Sequence, residues 1–223
     1  GLGDVYKRQM LAGTFENLTI TNNGTTFKVP ASATITVSNT FTADGTNFDA
    51  DANYMVVEAV SGNYDMTLAK ATMDHVVFKH LSTNGLKLTG AGSDYNMKDI
   101  LFTANQTGVD SRYLWLSGGA WGAKTLYAFA FGDADHNTTD VPSAYTQATP
   151  PDYAVYMDTG SGTISITGFD NTGLNGEAED YDSGDGGAGT ISWNATYVEL
   201  ASFTAVGSGT PPAHMNIVWE TNV

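Results

Sequence analysis

The 223-residue chain contains no cysteine, so disulfides do not hold it together, and its folded state must draw stability from burial or bound ions. Basic side chains are scarce: nine Lys/Arg stand against 24 Asp/Glu, for a formal net charge of −15. None lies after Lys124, although the last 99 residues carry 13 Asp/Glu. Such a surface repels nucleic acid and anionic lipid, whose binding needs Lys/Arg to displace counterions, and it attracts Na⁺, Ca²⁺ or Mg²⁺ instead. No apolar run reaches the ~18–20 residues of a membrane helix, so membrane insertion is not expected. Helix-favouring Glu, Lys, Arg and Gln are few, and no segment reads as a helix. There is no Gly-x-Ser-x-Gly elbow and no phosphate-cradling Gly-Lys-Ser/Thr loop, and His75, His80, His136 and His214 show no metal-ligand clustering.

What is present is apolar and turn-rich. Hydrophobic residues make up 41% of the chain, with 4 Trp, 11 Tyr and 10 Phe, which supplies a core and argues against disorder despite the acidity. Short β-rich runs alternate with clusters of Gly, Asn, Asp and Ser. They are 18–20, 34–37, 54–57, 76–78, 86–88, 100–102, 113–116, 126–131, 154–157, 164–166 and 191–193.

Several runs return at coil-like intervals. Met73-Asp74-His75-Val76-Val77-Phe78 is followed 24 residues later by Met97-Lys98-Asp99-Ile100-Leu101-Phe102, with like residue types in like places. An even offset preserves strand parity, so Val76 and Phe78 face the side that Ile100 and Phe102 face. Ile100 to Leu126 spans 26 residues, and Gly162-Thr163-Ile164-Ser165 returns after 27 as Gly189-Thr190-Ile191-Ser192. Coils of that length fit two or three short strands plus bends, stacked in parallel about 4.8 Å apart. Leu18, Ile20, Ile35, Val37, Val76, Phe78, Ile100 and Phe102 are then the inward residues. The competing architecture is an antiparallel sandwich, which also spaces short strands by 8–12 residues. Like-on-like correspondence and the scarcity of tight hairpin signals favour the coil.

Three groups of residues are candidates for chemistry. Asp133, Asp135, Asn137 and Asp140 place oxygen ligands at alternating positions, as a Ca²⁺ loop requires, but without the sixth-position Gly or twelfth-position Glu of an EF-hand. Glu177, Glu179, Asp180, Asp182 and Asp185 crowd into a Gly-rich stretch, where a cation would screen their repulsion. Calcium is therefore the candidate ion, and no cofactor is required. A solvated acidic loop is the plain alternative for both. Third, Tyr113, Trp115, Trp121 and Tyr127 fall with Phe129 and Phe131 within 19 residues; alternate rings pointing outward would make a platform for sugars, and the bland reading is a layer of large core residues. No catalytic residue is assigned. Asp74 and Asp99 invite a glycosidase or lyase reading, but their odd offset does not require a shared face.

Two resemblances follow from particular residues. Thr14-Phe15-Glu16-Asn17-Leu18-Thr19-Ile20-Thr21-Asn22-Asn23-Gly24 resembles the x-F-x-N-L-T-I-N-N-x-G coils of bacterial secreted right-handed parallel β-helix proteins, the adhesin-like and pectin-lyase-like surface proteins. The Asn-Thr-Asp, Asp-Asp and Gly-His-Gly signatures of the pectin-cleaving members are absent. Val198 to Ala205 and Asn216 to Thr221 are similar to the first two strands of a fibronectin type III-like module. In addition, Asp4-Val5-Tyr6-Lys7-Arg8-Gln9 resembles a translated sequencing adapter, as in an assembled metagenomic fragment.

The expected organisation is an adapter-derived artefact over 1–9, an all-β right-handed parallel β-helix (solenoid) over 10–193, and a truncated fibronectin type III-like, β-sandwich start over 194–223. The resemblance implies a non-catalytic structural or adhesive segment of a large secreted or cell-surface bacterial protein. The alternative is the carbohydrate-binding or polysaccharide-degrading β-helix region of an exported enzyme. Expected partners are extracellular polysaccharide or another surface protein, with end-to-end self-association of the uncapped coil stack.

Overall fold

The computed structural model describes residues 13–21, 26–44, 55–132, 150–167 and 177–194. The adapter-like 1–9 and the fibronectin-like residues 195–223 lie outside them. Twelve strands account for most of the described chain: β1 (Gly13–Thr21), β2 (Thr26–Val29), β3 (Thr34–Asp44), β4 (Met55–Ala59), β5 (Tyr64–Leu68), β6 (Ala71–Lys79), β7 (Leu81–Leu88), β8 (Tyr95–Thr103), β9 (Arg112–Phe131), β10 (Tyr153–Thr167), β11 (Asp180–Tyr181) and β12 (Thr190–Asn194). Among the described residues there is no α-helix, only short 3-10 turns at Gly92–Asp94 and Glu177–Glu179.

Every described strand pairing is parallel, which rules out the antiparallel sandwich. Parallel neighbours need long crossovers, and the interval between paired residues supplies them. One row runs β1-β3-β5-β7-β9 and another β2-β4-β6-β8-β9. Long strands join the rows. Residues 34–37 of β3 pair with β5, while 41–44 pair with β6. Likewise β9 pairs with β7 through 114–116 and with β8 through 127–131. The pairings β3-β5-β7-β9-β8-β6 therefore close into a ring of six parallel strands.

The 24-residue repeat is the register itself: Met73 pairs with Met97, Val76 with Ile100, Val77 with Leu101 and Phe78 with Phe102. Thr163-Ile164-Ser165 likewise pairs with Thr190-Ile191-Ser192. The 26-residue interval does not hold, because Ile100 pairs with Phe129 while Leu126 pairs with Ile166.

Registers stack like side chains into interior columns. Ile35, Met66, Leu86, Leu114 and Val155 make one, and Val37, Leu68, Leu88, Leu116 and Met157 another, all buried. Phe78, Phe102 and Phe131 form a third, with ring centroids 5.6 and 5.5 Å apart. Burying each such side chain contributes about 1.5–3 kcal/mol. Of the eight residues expected inside, six are fully buried, while Leu18 and Ile20 pack against the core from half-buried positions in β1.

Strand parity fails at one kind of place. His75 and Asp99 adopt left-handed φ of 54° and 51°, and the β6–β8 register passes over both. The bend inserts a residue between inward Met73 and inward Val76, so the alternation restarts after the corner. Glycines do this elsewhere: Gly122, Gly162 and Gly189, at φ of 62°, 99° and 66°, mark one corner of β9, β10 and the turn into β12. A Cβ on Gly162 would lie 2.6 Å from the Gly122 nitrogen, so close backbone approach also demands glycine there.

Candidate functional site

The aromatic stretch divides between two environments. Tyr113 and Trp121 are buried, as are Phe129 and Phe131, and Tyr113 packs its ring against Phe102 and Phe131. Neither Tyr113 nor Trp121 can meet a sugar, which corrects the expectation that placed them on an outer platform; the large-residue core layer describes them. Trp115 is outward and half-buried, and Tyr127 is 47% exposed.

Around Trp115 the registers build an outer ladder that sequence reading did not find. Lys87 pairs with Trp115, Trp115 with Tyr156, and Tyr156 with Tyr181, each one position from an inward residue. Lys87 Nζ sits 3.7 Å from the Trp115 ring centroid. The Arg112 guanidinium lies between two rings, 4.7 Å from Trp115 and 3.8 Å from Tyr156. Tyr156 and Tyr181 stack, Tyr153 leans on both, and Trp115 Nε1 donates to Asp158 Oδ1 at 2.9 Å. The Trp115 ring thus meets two cations, and the Tyr156 ring meets Arg112 and Tyr181. Cation–π and stacking contacts of this kind bind strand to strand. The missing signal was the 41-residue interval between β9 and β10, longer than any repeat visible in the chain.

The second acidic group lies where the interior columns end. Val155 pairs with Asp180, so Asp180 continues the Leu86–Leu114–Val155 column as a buried carboxylate, and Asp182 is buried two residues on. Asp182 Oδ1 accepts from Gly184 N and Oδ2 from Ile191 N, both at 2.7 Å, and its carbonyl accepts from Asp185 N and Gly187 N. Trp193 Nε1 donates to Asp180 Oδ2. Asp185 is exposed, and one carboxylate oxygen from each of Asp180, Asp182 and Asp185 lies within 4.8 Å of the others. Burial raises the pKa of nearby Glu179. The dominant geometric work of Asp182 is to fasten the turn between β11 and β12. The first acidic group, Asp133, Asp135, Asn137 and Asp140, lies outside the described residues.

A third cluster joins β6 to β8. His75 Nδ1 is 2.7 Å from Asp74 Oδ1, and His75 Nε2 is 3.4 Å from Asp99 Oδ2 on the neighbouring strand. Lys98 Nζ is 3.3 Å from the same Asp99 oxygen. The hydrogen bond to Asp74 raises the His75 pKa, burial opposes it, and the charges of Asp99 and Asp74 add to the rise against Lys98. Their odd offset does not require Asp74 and Asp99 to share a face; the left-handed corner brings both to one imidazole. The signal was available, since the 24-residue repeat lays His75 on Asp99.

No helix among the described residues is long and apolar enough to cross a membrane. No family model matches the chain, and neither curated proteins nor solved structures give a match.

Proposed function

We propose that the chain is a non-catalytic structural or adhesive segment of a large secreted or cell-surface bacterial protein, wound as a right-handed parallel β-helix. The observation that carries this reading is the matched register of interior and exterior ladders. Inside, Met73 on Met97 and Phe78 on Phe102 on Phe131 repeat burial; outside, Lys87 and Arg112 lie against Trp115, Arg112 against Tyr156, and Tyr156 stacks on Tyr181. Such a chain is built for strand-to-strand cohesion, which a stalk or adhesive rod requires. The acidic surface suits an ion-rich exterior, with calcium as the candidate ion at Asp180, Asp182 and Asp185. Residues 194–223 fit the start of a fibronectin type III-like module.

The second reading, a carbohydrate-binding or polysaccharide-degrading region, draws on the half-buried Trp115 and exposed Tyr127. Titration with a panel of soluble polysaccharides, following Trp fluorescence and release of new chain ends, separates the two. The structural reading expects neither a spectral shift nor cleavage. A saturable shift favours the second reading, and new chain ends overturn the non-catalytic assignment. Small-angle scattering tests the solenoid: a rod-like particle is expected, and a spherical one is inconsistent with it.

A further inference from the structure

We propose that His75 and Asp99, with Asp74 behind the imidazole, form a site for a zinc-class divalent ion that clamps β6 to β8. Asp74, His75 and Asp99 each offer a ligand atom, and these atoms lie within 4.8 Å of one another. The donor set distinguishes the ion. An imidazole nitrogen with carboxylate oxygen suits borderline transition ions, whereas calcium takes oxygen alone.

The separations fit a division of labour. Two ligands at ~2.0–2.2 Å from a tetrahedral ion stand about 3.4 Å apart. His75 Nε2 and Asp99 Oδ2 are 3.4 Å apart, longer than a strong charged hydrogen bond. Asp74 Oδ1 stands 2.7 Å from Nδ1, a charge contact that places a second carboxylate behind the imidazole. A carboxylate at that distance favours the proton on Nδ1, which leaves the Nε2 lone pair toward Asp99, as in a carboxylate–imidazole–metal arrangement. Water completes the coordination of a site that is one-third open at His75.

The backbone holds these groups ready. His75 and Asp99 leave the sheet at equivalent left-handed corners of adjacent strands, and the flanking pairs Asp74–Lys98 and Val76–Ile100 keep the corners in register. Lys98 competes for Asp99 at 3.3 Å, from a side chain about half exposed to solvent.

The test uses the untagged full chain, titrated with zinc chloride against a chromophoric chelator, in millimolar calcium to occupy general acidic sites. One saturable equivalent per chain is expected, with a rise in melting temperature. His75→Asn and Asp99→Asn, which tolerate left-handed φ, should weaken uptake at least tenfold. Asp74→Asn should weaken it about tenfold as an orienting residue. Lys98→Ala should tighten it, since it removes the competing ammonium. Uptake that survives His75→Asn places the zinc elsewhere and overturns the proposal. Should that variant not fold, unchanged or weaker binding by Lys98→Ala overturns it equally.

Discussion

Tyr156 and Tyr181 stack on neighbouring strands with ring centroids 4.4 Å apart and planes 8° from parallel. The pair ends a ladder in which Arg112 is the hinge, touching both Trp115 and Tyr156. Arg112→Ala therefore removes two cation–π contacts and the packing of the aliphatic stem. A loss of about 1–2 kcal/mol is expected in urea denaturation. Arg112→Lys should recover less than half of it, because an ammonium cannot lie flat between two rings. Equal stability of Arg112→Ala and the parent protein would show that the outer ladder contributes nothing.

The glycine corner gives a graded prediction. A Cβ on Gly122 meets nothing within 4 Å, so Gly122→Ala carries only the left-handed backbone cost of about 1–2 kcal/mol. At Gly162 the same Cβ would also be 2.6 Å from the Gly122 nitrogen and 2.8 Å from its oxygen. Gly162→Ala should cost about 2–4 kcal/mol, by the added overpacking. Thermal melts of the two variants side by side check the order; the reverse order contradicts the stacking of the corner.

These corners also mark where sequence reading stopped being reliable. Between corners, period-two alternation and like residue types identify the partner of a side chain, as Phe78 and Phe102 do at the 24-residue interval. At a corner a left-handed residue resets parity: the 24-residue repeat lays His75 on Asp99, but alternation alone does not bring Asp74 to the same imidazole. Composition could not separate Tyr113 from Trp115 either: both are large aromatics two residues apart, yet one is fully buried and the other outward. Strict alternation would put them on the same side. Arg112, three residues before Trp115, and Lys87 on β7 lie against the Trp115 ring on the outer side.

The aromatic column predicts the largest single loss. Phe102 touches Phe78, Tyr113, Phe129 and Phe131, with centroid separations from 5.5 to 6.4 Å. Phe102→Ala leaves a cavity between strands that cannot close without breaking their register, and about 3–5 kcal/mol is expected. Phe102→Leu should recover most of it. A urea series with intrinsic fluorescence reads both.

The turn after β11 depends on a buried carboxylate. Asp182→Ala leaves the nitrogens of Gly184 and Ile191 without their acceptor, for about 2–4 kcal/mol. Asp182→Asn keeps one acceptor oxygen and should lose roughly half as much. Calcium titration of the parent protein, read as melting temperature, tests whether Asp180, Asp182 and Asp185 also hold an ion: a saturable rise that Asp185→Asn removes is the expected result, and a rise unaffected by Asp185→Asn places any ion elsewhere.

Glu58 supplies the pH dependence. It lies in register between Lys28 and Lys79 on the adjacent strands, pairing with Lys28 through Oε1 and standing 3.5 Å from Lys79 through Oε2. Burial alone would raise its pKa, but the Lys28 hydrogen bond and the charges of Lys79 and Lys28 outweigh that and bring it below 4.5. Between the lowered folded value and the ordinary unfolded one, the unfolded chain binds more protons, so stability rises with pH across that interval. The contribution is complete above about 4.5 and is lost as pH falls through the folded value. Glu58→Gln should cost about 1–2 kcal/mol at neutral pH, between an exposed and a buried pair. The same variant should match the parent protein in acid, where both side chains are neutral. Urea midpoints measured from neutral pH downward should therefore converge, and a gap that stays constant with pH would show that Glu58 acts through packing and not through its charge.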